Sequence, residues 1–369
     1  MESKQPKKVG VIGAGAWGTA MAHALAKENN EVEIWALEED VVSSINEQHT
    51  NERYLKGFPL SPNLKASSDI NKVASGKEFL IFASPSLYLA STIRKIADVP
   101  EIKNGTTCIG ALTKGFVPSN NGPRLILEEM ESALPECYAK NLVYIAGPSH
   151  AEEVAMGKIT GLIAASENPK NTIRFRDLLN GKSLLVYSSF DVIGVQICAA
   201  AKNVIAVVFG CLDAVAEKSD LFGDNTESLL LAAGLNEIQT LGRAMGATHA
   251  ETFTSISGVG DLDVTCRSKY GRNRRFGQEI ITKNILKKFT SIDDLISRIS
   301  EIGYLPEGAV ACKYVHEIVE KHNLKLCWTL NKFKLHYVTV FQLISYFLHS
   351  KCKLIAKLQL TLNCAIKHE

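Results

Sequence analysis

Lys8-Val9-Gly10-Val11-Ile12-Gly13-Ala14-Gly15-Ala16-Trp17-Gly18-Thr19-Ala20 is the stretch whose reading decides the fold. Its first five residues are an apolar run of strand length, and residues 20–27 after it are rich in alanine, the strongest helix former. Between them Gly13, Gly15 and Gly18 give the pattern GxGxxG. The glycines allow a tight turn and a close backbone approach, so a pyrophosphate can sit on the free N–H groups and positive end of the following helix. Alone the pattern is a weak signal, because glycines recur by chance. A strand immediately before it and a helix immediately after it raise it to a dinucleotide-binding turn.

Outward from that turn the same grammar continues. Residues 9–12, 32–35, 79–83, 107–112, 142–146, 161–165 and 184–187 read as seven buried strands, apolar on both faces and separated by helix-like segments. Such alternation implies a doubly wound α/β domain, a Rossmann-like parallel sheet covered by helices on each side. After Phe190 the period lengthens to that of helices, over 191–211 and 226–245, with Gly246 where the second should stop. The expected organisation is a nucleotide-binding domain over 1–188, an all-helical substrate and catalytic domain over 189–326, and an atypical tail over 327–369. The second strand leads to Glu38, twenty residues past Gly18, where such domains place the acid that holds the adenosine ribose hydroxyls. Glu38-Glu39-Asp40 would repel a 2′-phosphate and has no Arg or Lys adjacent in sequence, so NAD is expected rather than NADP. Singly, Glu39 and Asp40 read as a solvated turn.

At 369 residues with 46% hydrophobic and 22% charged side chains, the chain has enough apolar material for two cored domains. A net charge of only +2 argues against a nucleic-acid partner. The N-terminus lacks the apolar segment of a secretory signal, and no apolar run, residues 343–348 included, looks long enough to span a bilayer, which fits a cytoplasmic location. Nine cysteines without a CxxC pair read as reduced thiols, and nine histidines without HExxH or paired spacing give no support to a metal site.

The chemistry is concentrated in the second half. Lys202 and Asn203 interrupt the apolar run 197–209, and the helical neighbours of Lys202, namely Cys198, Ala199, Ile205 and Ala206, are all apolar. Desolvation disfavours the charged form of such a lysine, which suits it to hand a proton to a nascent alcohol. The alternative is a lysine that snorkels to solvent along its own stem. Further on, Gly260-Asp261-Leu262 and Thr265 precede Gly271-Arg272-Asn273-Arg274-Arg275 at a helix start, where a guanidinium and free N–H groups suit a phosphate dianion. Arg272 and Asn273 are the candidates there; Arg274 and Arg275 read as a solvated charged face.

Taken together, the glycine turn with Trp17, Leu112-Thr113-Lys114-Gly115, Ala146-Gly147-Pro148-Ser149, Ala201-Lys202-Asn203-Val204, and Gly260-Asp261-Leu262 followed by Gly271-Arg272-Asn273 resemble the NAD-dependent glycerol-3-phosphate dehydrogenase family over residues 8–325. The resemblance implies hydride exchange between NAD and a phosphorylated three-carbon substrate, interconverting dihydroxyacetone phosphate and sn-glycerol 3-phosphate, and a homodimer. It implies that Lys202 is the catalytic lysine, that Lys114 approaches both substrate and nicotinamide, and that Asp261 orients and charge-balances Lys202. Asn203 and Thr265 fall in the substrate pocket, and Arg272 and Asn273 in the phosphate grip. Cofactor contacts fall on Gly13, Ala14, Gly15, Ala16, Trp17, Gly18, Leu37, Glu38, Tyr88, Lys114, Ala151, Arg272 and Glu307, with Leu37 and Tyr88 where phenylalanine is common. Two rival readings are a reductase of the same plan acting on a hydroxyacyl or sugar-acid substrate, and a catalytically dead NAD-sensing protein.

The resemblance stops near residue 326. From Leu324 on there are seven lysines, no arginine and one glutamate, so this end carries +6 and leaves −4 for the rest of the +2 chain. Residues 327–369 contain no Gly, Pro or Asp, and their apolar runs lack caps and turns. They read as translated non-coding or mis-joined sequence, poorly packed, with a lineage-specific extension as the alternative.

Overall fold

In the computed structural model, which describes residues 5–119, 122–217, 222–268 and 271–324, eight strands join in one sheet. They are β1 (Lys8–Ile12), β2 (Glu31–Trp35), β3 (Leu64–Ser67), β4 (Phe79–Phe82), β5 (Cys108–Ala111), β6 (Val143–Ala146), β7 (Thr160–Ala165) and β8 (Leu184–Ser189), in the spatial order β3-β2-β1-β4-β5-β6-β7-β8. Because successive side chains point to opposite faces, β4 feeds two cores at once. Phe79 and Ile81 join Val9, Val11 and Ile34 on one face, while Leu80 and Phe82 join Ile12, Ile109 and Tyr144 on the other. From β1 the chain runs through α1 (Ala16–Lys27) to β2 and β3 on one side, then returns to place β4 on the other. The strand order therefore reverses between β1 and β4, and open α/β sheets bind ligands at the carboxyl ends of strands at such a point.

All seven expected strands are present, and two features differ from the sequence reading. The eighth strand, β3, is an edge of four residues in which only Leu64 and Ala66 alternate inward. That pattern is too short to stand out from a loop. The sheet is also mixed, since β6 and β7 pair antiparallel through Tyr144↔Ala165 and Ile145↔Ala164. A doubly buried apolar run carries no mark of its direction.

By internal contacts the chain divides into two compact units, one made of residues up to 119, 124–199 and 247–261, the other of 200–246 and the residues from 262 on, with residues 120–123. The 25-residue helix α2 (Val192–Ala216) contributes its first eight residues to the first unit and the rest to the second. It is long and apolar enough to cross a membrane, contrary to the expectation that no run was, but 89% of its most apolar window is buried inside the protein. It is a core helix and not a span.

The start of α2 is fixed by Asp191, only 2% exposed. Its carboxylate accepts from the Gly194 N–H at 3.1 Å, the Thr248 N–H at 3.1 Å, the His249 N–H at 3.4 Å and the Thr252 hydroxyl at 2.7 Å. One side chain thus caps the helix N-terminus and ties down the segment 248–252.

The second unit is helical, with α3 (Asp224–Ala244), α4 (Asp261–Arg267, whose first residue belongs to the first unit), α5 (Arg272–Thr282) and α6 (Glu307–Lys321) as its longer described elements. Gly246 takes φ +102°, the left-handed geometry that ends a helix. Its core gathers Val207, Phe276, Ile280, Ile285, Leu295 and Ala309. A Cβ on Gly277 would strike the Val207 carbonyl, and one on Gly210 the Arg274 carbonyl, so α2 and α5 cross in backbone contact.

Arg274, expected on a solvated face, is instead 12% exposed and forked onto Asp213 of α2 at 2.5 and 2.6 Å, with a third bond to the Cys266 carbonyl at 2.7 Å. Arg275 does lie outward, against Glu279 and the Tyr304 ring. The six described cysteines are free thiols, and burial pushes Cys108 up to about 11 and Cys211 up to about 12. The tail 327–369 lies outside the described residues.

Replacing Asp191 with Ala removes a helix cap and takes the acceptor from three donors of the 248–252 segment, of which the Thr252 hydroxyl is buried. Urea unfolding of the full chain, followed by tryptophan fluorescence, is expected to show a loss of about 3 kcal/mol. A loss below about 1 kcal/mol would mean that water replaces the carboxylate.

Candidate active site

The glycine turn sits at the carboxyl end of β1. Gly13 takes φ +120°, and a Cβ there would stand 2.9 Å from the Ser84 backbone nitrogen after β4. Gly18 lies so close under the turn that a Cβ would collide with the Gly13 carbonyl, while Gly15 faces open space with nothing within 4 Å. That open position is a cradle. Gly15 is the N-cap of α1 and no side chain caps the helix, so its first-turn N–H groups are available to an anion. The turn itself is held by Asn51, whose amide donates to the Ala14 carbonyl and to Thr19 Oγ1, both at 2.9 Å. Trp17 Nε1 and Ser84 Oγ are buried polar atoms without a partner among the described residues. An open cradle, an uncapped helix and two orphaned polar atoms fit a dinucleotide pyrophosphate.

The other expected cofactor residues of the first unit also follow strand ends. Leu37 and Glu38 follow β2, Tyr88 follows β4, Lys114 follows β5, and Ala151 opens the short helix Ala151–Ala155 after β6. Leu37 and Tyr88 are 70% and 59% exposed. Glu38 accepts a 2.7 Å hydrogen bond from the Tyr54 hydroxyl. Arg53 from the same loop pairs with Asp40 at 3.3 Å, so a cation lies beside the acidic triplet although none adjoins it in sequence. Glu307 opens α6 in the second unit.

Lys114 is 14% exposed and pairs with Asp261, 1% exposed, at 3.1 Å. Its ammonium also reaches the Gly147 carbonyl at 3.5 Å. Asp261 is thus an ion-pair partner of Lys114.

In the second unit Lys202 is 5% exposed on α2, which is incompatible with snorkelling. Its ammonium donates to Thr265 Oγ1 at 2.9 Å. Asn203 beside it accepts from Asn273 Nδ2 at 3.0 Å, and Asn273 in turn accepts from the Gly308 N–H at 2.9 Å. The Asn203 amide nitrogen is buried with no partner among the described residues. Arg272 is the first residue of α5, whose N-cap Gly271 supplies no side-chain bond, and it is exposed without an ion pair among the described residues. Lys202–Thr265 and Asn203–Asn273 are therefore two hydrogen-bonded pairs that start from adjacent residues of α2. Asn51, Arg53 and Tyr54 were not singled out in the sequence, because only the fold brings their loop back to the glycine turn and the acids after β2.

A family model described as NAD-dependent glycerol-3-phosphate dehydrogenase N-terminus matches residues 8–172, and the corresponding C-terminus model matches residues 191–336. A Treponema denticola protein named glycerol-3-phosphate dehydrogenase (NAD(P)+) is 59% identical over 325 residues, covering 86% of this chain and 91% of its own. The chain belongs to the NAD-dependent glycerol-3-phosphate dehydrogenase family. A Bacillus subtilis relative of the same name is 35% identical over 320 residues, covering 87% of each chain. The crystal structure of a glycerol-3-phosphate dehydrogenase from Coxiella burnetii superposes with a TM-score of 0.75 at 28% identity, covering 93% of this chain and 95% of that one. The C-terminus model extends to residue 336, ten residues past the point near 326 where the sequence resemblance stops.

Proposed function

We propose that the chain interconverts dihydroxyacetone phosphate and sn-glycerol 3-phosphate, with Lys202 as the proton donor in reduction and acceptor in oxidation. The observation that carries this reading is a buried ammonium next in sequence to a buried amide whose nitrogen has no partner among the described residues. Lys202 holds Thr265, and Asn203, the next residue, offers that N–H. A carbonyl oxygen there gains donors where negative charge develops.

Residues 1–188 take the cofactor and 189–326 the substrate. NADH, when bound, supplies the hydride. The Lys202 ammonium gives its proton to the substrate oxygen as that oxygen becomes an alkoxide, and takes it back in the reverse direction. Thr265 fixes the lysine, and Asn203, itself fixed by Asn273, orients a hydroxyl or carbonyl oxygen. Lys114, neutralised in part by Asp261, adds a positive field near the reacting carbon. Arg272 and the uncapped start of α5 take the phosphate, so binding energy remote from the reacting carbon holds it in place. The same reading carries a cytoplasmic homodimer. The dimer rests on the family resemblance, and the location on the likeness to bacterial relatives of that family.

Lys202→Ala is expected to lower kcat by about 10² or more in NADH oxidation by dihydroxyacetone phosphate, with NADH affinity by fluorescence titration unchanged. A kcat within about threefold of wild type would make Lys202 a structural residue. Arg272→Ala is expected to raise the KM for dihydroxyacetone phosphate by at least about tenfold, since a charge-assisted phosphate contact is worth about 1.5–3 kcal/mol. An unchanged KM would move the phosphate elsewhere.

A further inference from the structure

The loop that steadies the glycine turn is held to α1 at two points. Thr19 and His23 are four residues apart, so they share a face of that helix, and both are buried. Thr19 Oγ1 accepts from the Asn51 amide at 2.9 Å, and His23 Nδ1 accepts from the Ser61 N–H at 2.8 Å. Between these anchors Leu55 and Leu60 pack in the same core as Ala20, Met21 and Leu25 of α1. The first anchor bears on the turn directly, because the same Asn51 amide donates to the Ala14 carbonyl.

The second anchor depends on a proton. A backbone N–H can only donate, so the Ser61 bond requires His23 Nδ1 to be bare and the ring to be neutral, with its proton on Nε2. Burial, and after it the Lys27 ammonium one turn along α1, hold this imidazole below its ordinary range, against the Ala155 carbonyl, which favours the charged ring. The helix Ala151–Ala155 carries Glu152 and Glu153 and the loop carries Glu52, Arg53, Tyr54 and Lys56, all exposed, while the loop's own imidazole, His49, is part-buried. A proton on His23 Nδ1 would turn two N–H donors toward each other and leave the N–H of Ser61, a buried residue, without its acceptor.

We propose that His23 is a positioning residue for the cofactor cradle, which as a neutral ring latches residues 49–63 to α1 and keeps Asn51 on the glycine turn, and as an imidazolium releases them. The inference rests on the pyrophosphate lying in that turn. Because the latched ring resists protonation, the latch is at full strength above about pH 6.5 and weakens as the pH falls through the ring's lowered range. Only the latched fraction of the protein then binds cofactor at full strength, so the apparent affinity falls with that fraction.

Two measurements on the full chain, each at about pH 7.5 and about pH 5.5, test the latch and its effect on the cradle separately. Deuterium exchange of residues 49–63 in the unliganded chain, corrected for the intrinsic pH dependence of exchange, reads the latch. Isothermal titration with ADP-ribose, which carries the adenosine and pyrophosphate without the nicotinamide, reads the cradle. His23→Asn offers Ser61 an acceptor that does not titrate, and His23→Ala offers none. On passing to the lower pH the wild type is expected to lose protection over 49–63 and to lose ADP-ribose affinity at least about threefold more than His23→Asn does, within the roughly tenfold that one pH unit below an ordinary imidazole allows. His49 is present in every variant, so the difference belongs to His23. At the higher pH His23→Ala is expected to bind more weakly than His23→Asn. Unchanged protection of 49–63 in the wild type overturns the inference whatever the variants do. So does lost protection with the wild type and His23→Asn losing affinity alike to within about threefold, because the loop then does not support the cradle. A wild type that binds no ADP-ribose at the higher pH moves the pyrophosphate elsewhere, and the inference falls with that placement.

Discussion

Much of the molecule's chemistry hangs on one buried carboxylate. Asp191 starts the helix that carries Lys202 and Asn203, and the same oxygens bind the segment 248–252 that leads to Asp261. Four donors on a single side chain make it costly to move. The proton donor proposed here would be useful only with its position closely set, and the helix that carries Lys202 begins at this fixed point.

Buried polar groups elsewhere follow the same logic. A buried ion pair such as Lys114–Asp261 contributes little net stability compared with apolar side chains of the same volume. What the pair does is hold the Lys114 ammonium in one place. Arg274 has a different part, since its fork on Asp213 and its bond to the Cys266 carbonyl tie α2, the end of α4 and the start of α5 within the helical unit. That start presents Arg272 and Asn273. Side chains that touch no substrate thus fix those proposed to do so.

The fold was largely legible because its decisive signals are local. A strand, three spaced glycines and an alanine-rich helix lie within twenty residues, and Lys202 betrays its burial through its own helical neighbours. What escaped depends on contacts distant in sequence or on weak patterns. The edge strand β3 offers two inward residues, and nothing in β7 records its antiparallel direction. Arg274 meets an aspartate 61 residues away, and Lys114 an aspartate 147 residues away. Arg53 reaches Asp40 because Asn51 folds its loop back onto the glycine turn. Charge pairing of this kind is a property of the folded chain, and neighbouring letters do not disclose it.

The measurement that bears most directly on the proposed chemistry is the kcat/KM of the wild-type chain for NADH oxidation with dihydroxyacetone phosphate against dihydroxyacetone, the same ketone without its phosphate. A site that spends phosphate binding on orienting the carbonyl should favour the phosphorylated ketone by about 10³ or more and yield sn-glycerol 3-phosphate. Comparable values within about tenfold, or reduction of neither ketone, would contradict a glycerol-3-phosphate dehydrogenase mechanism built on Lys202 and Arg272.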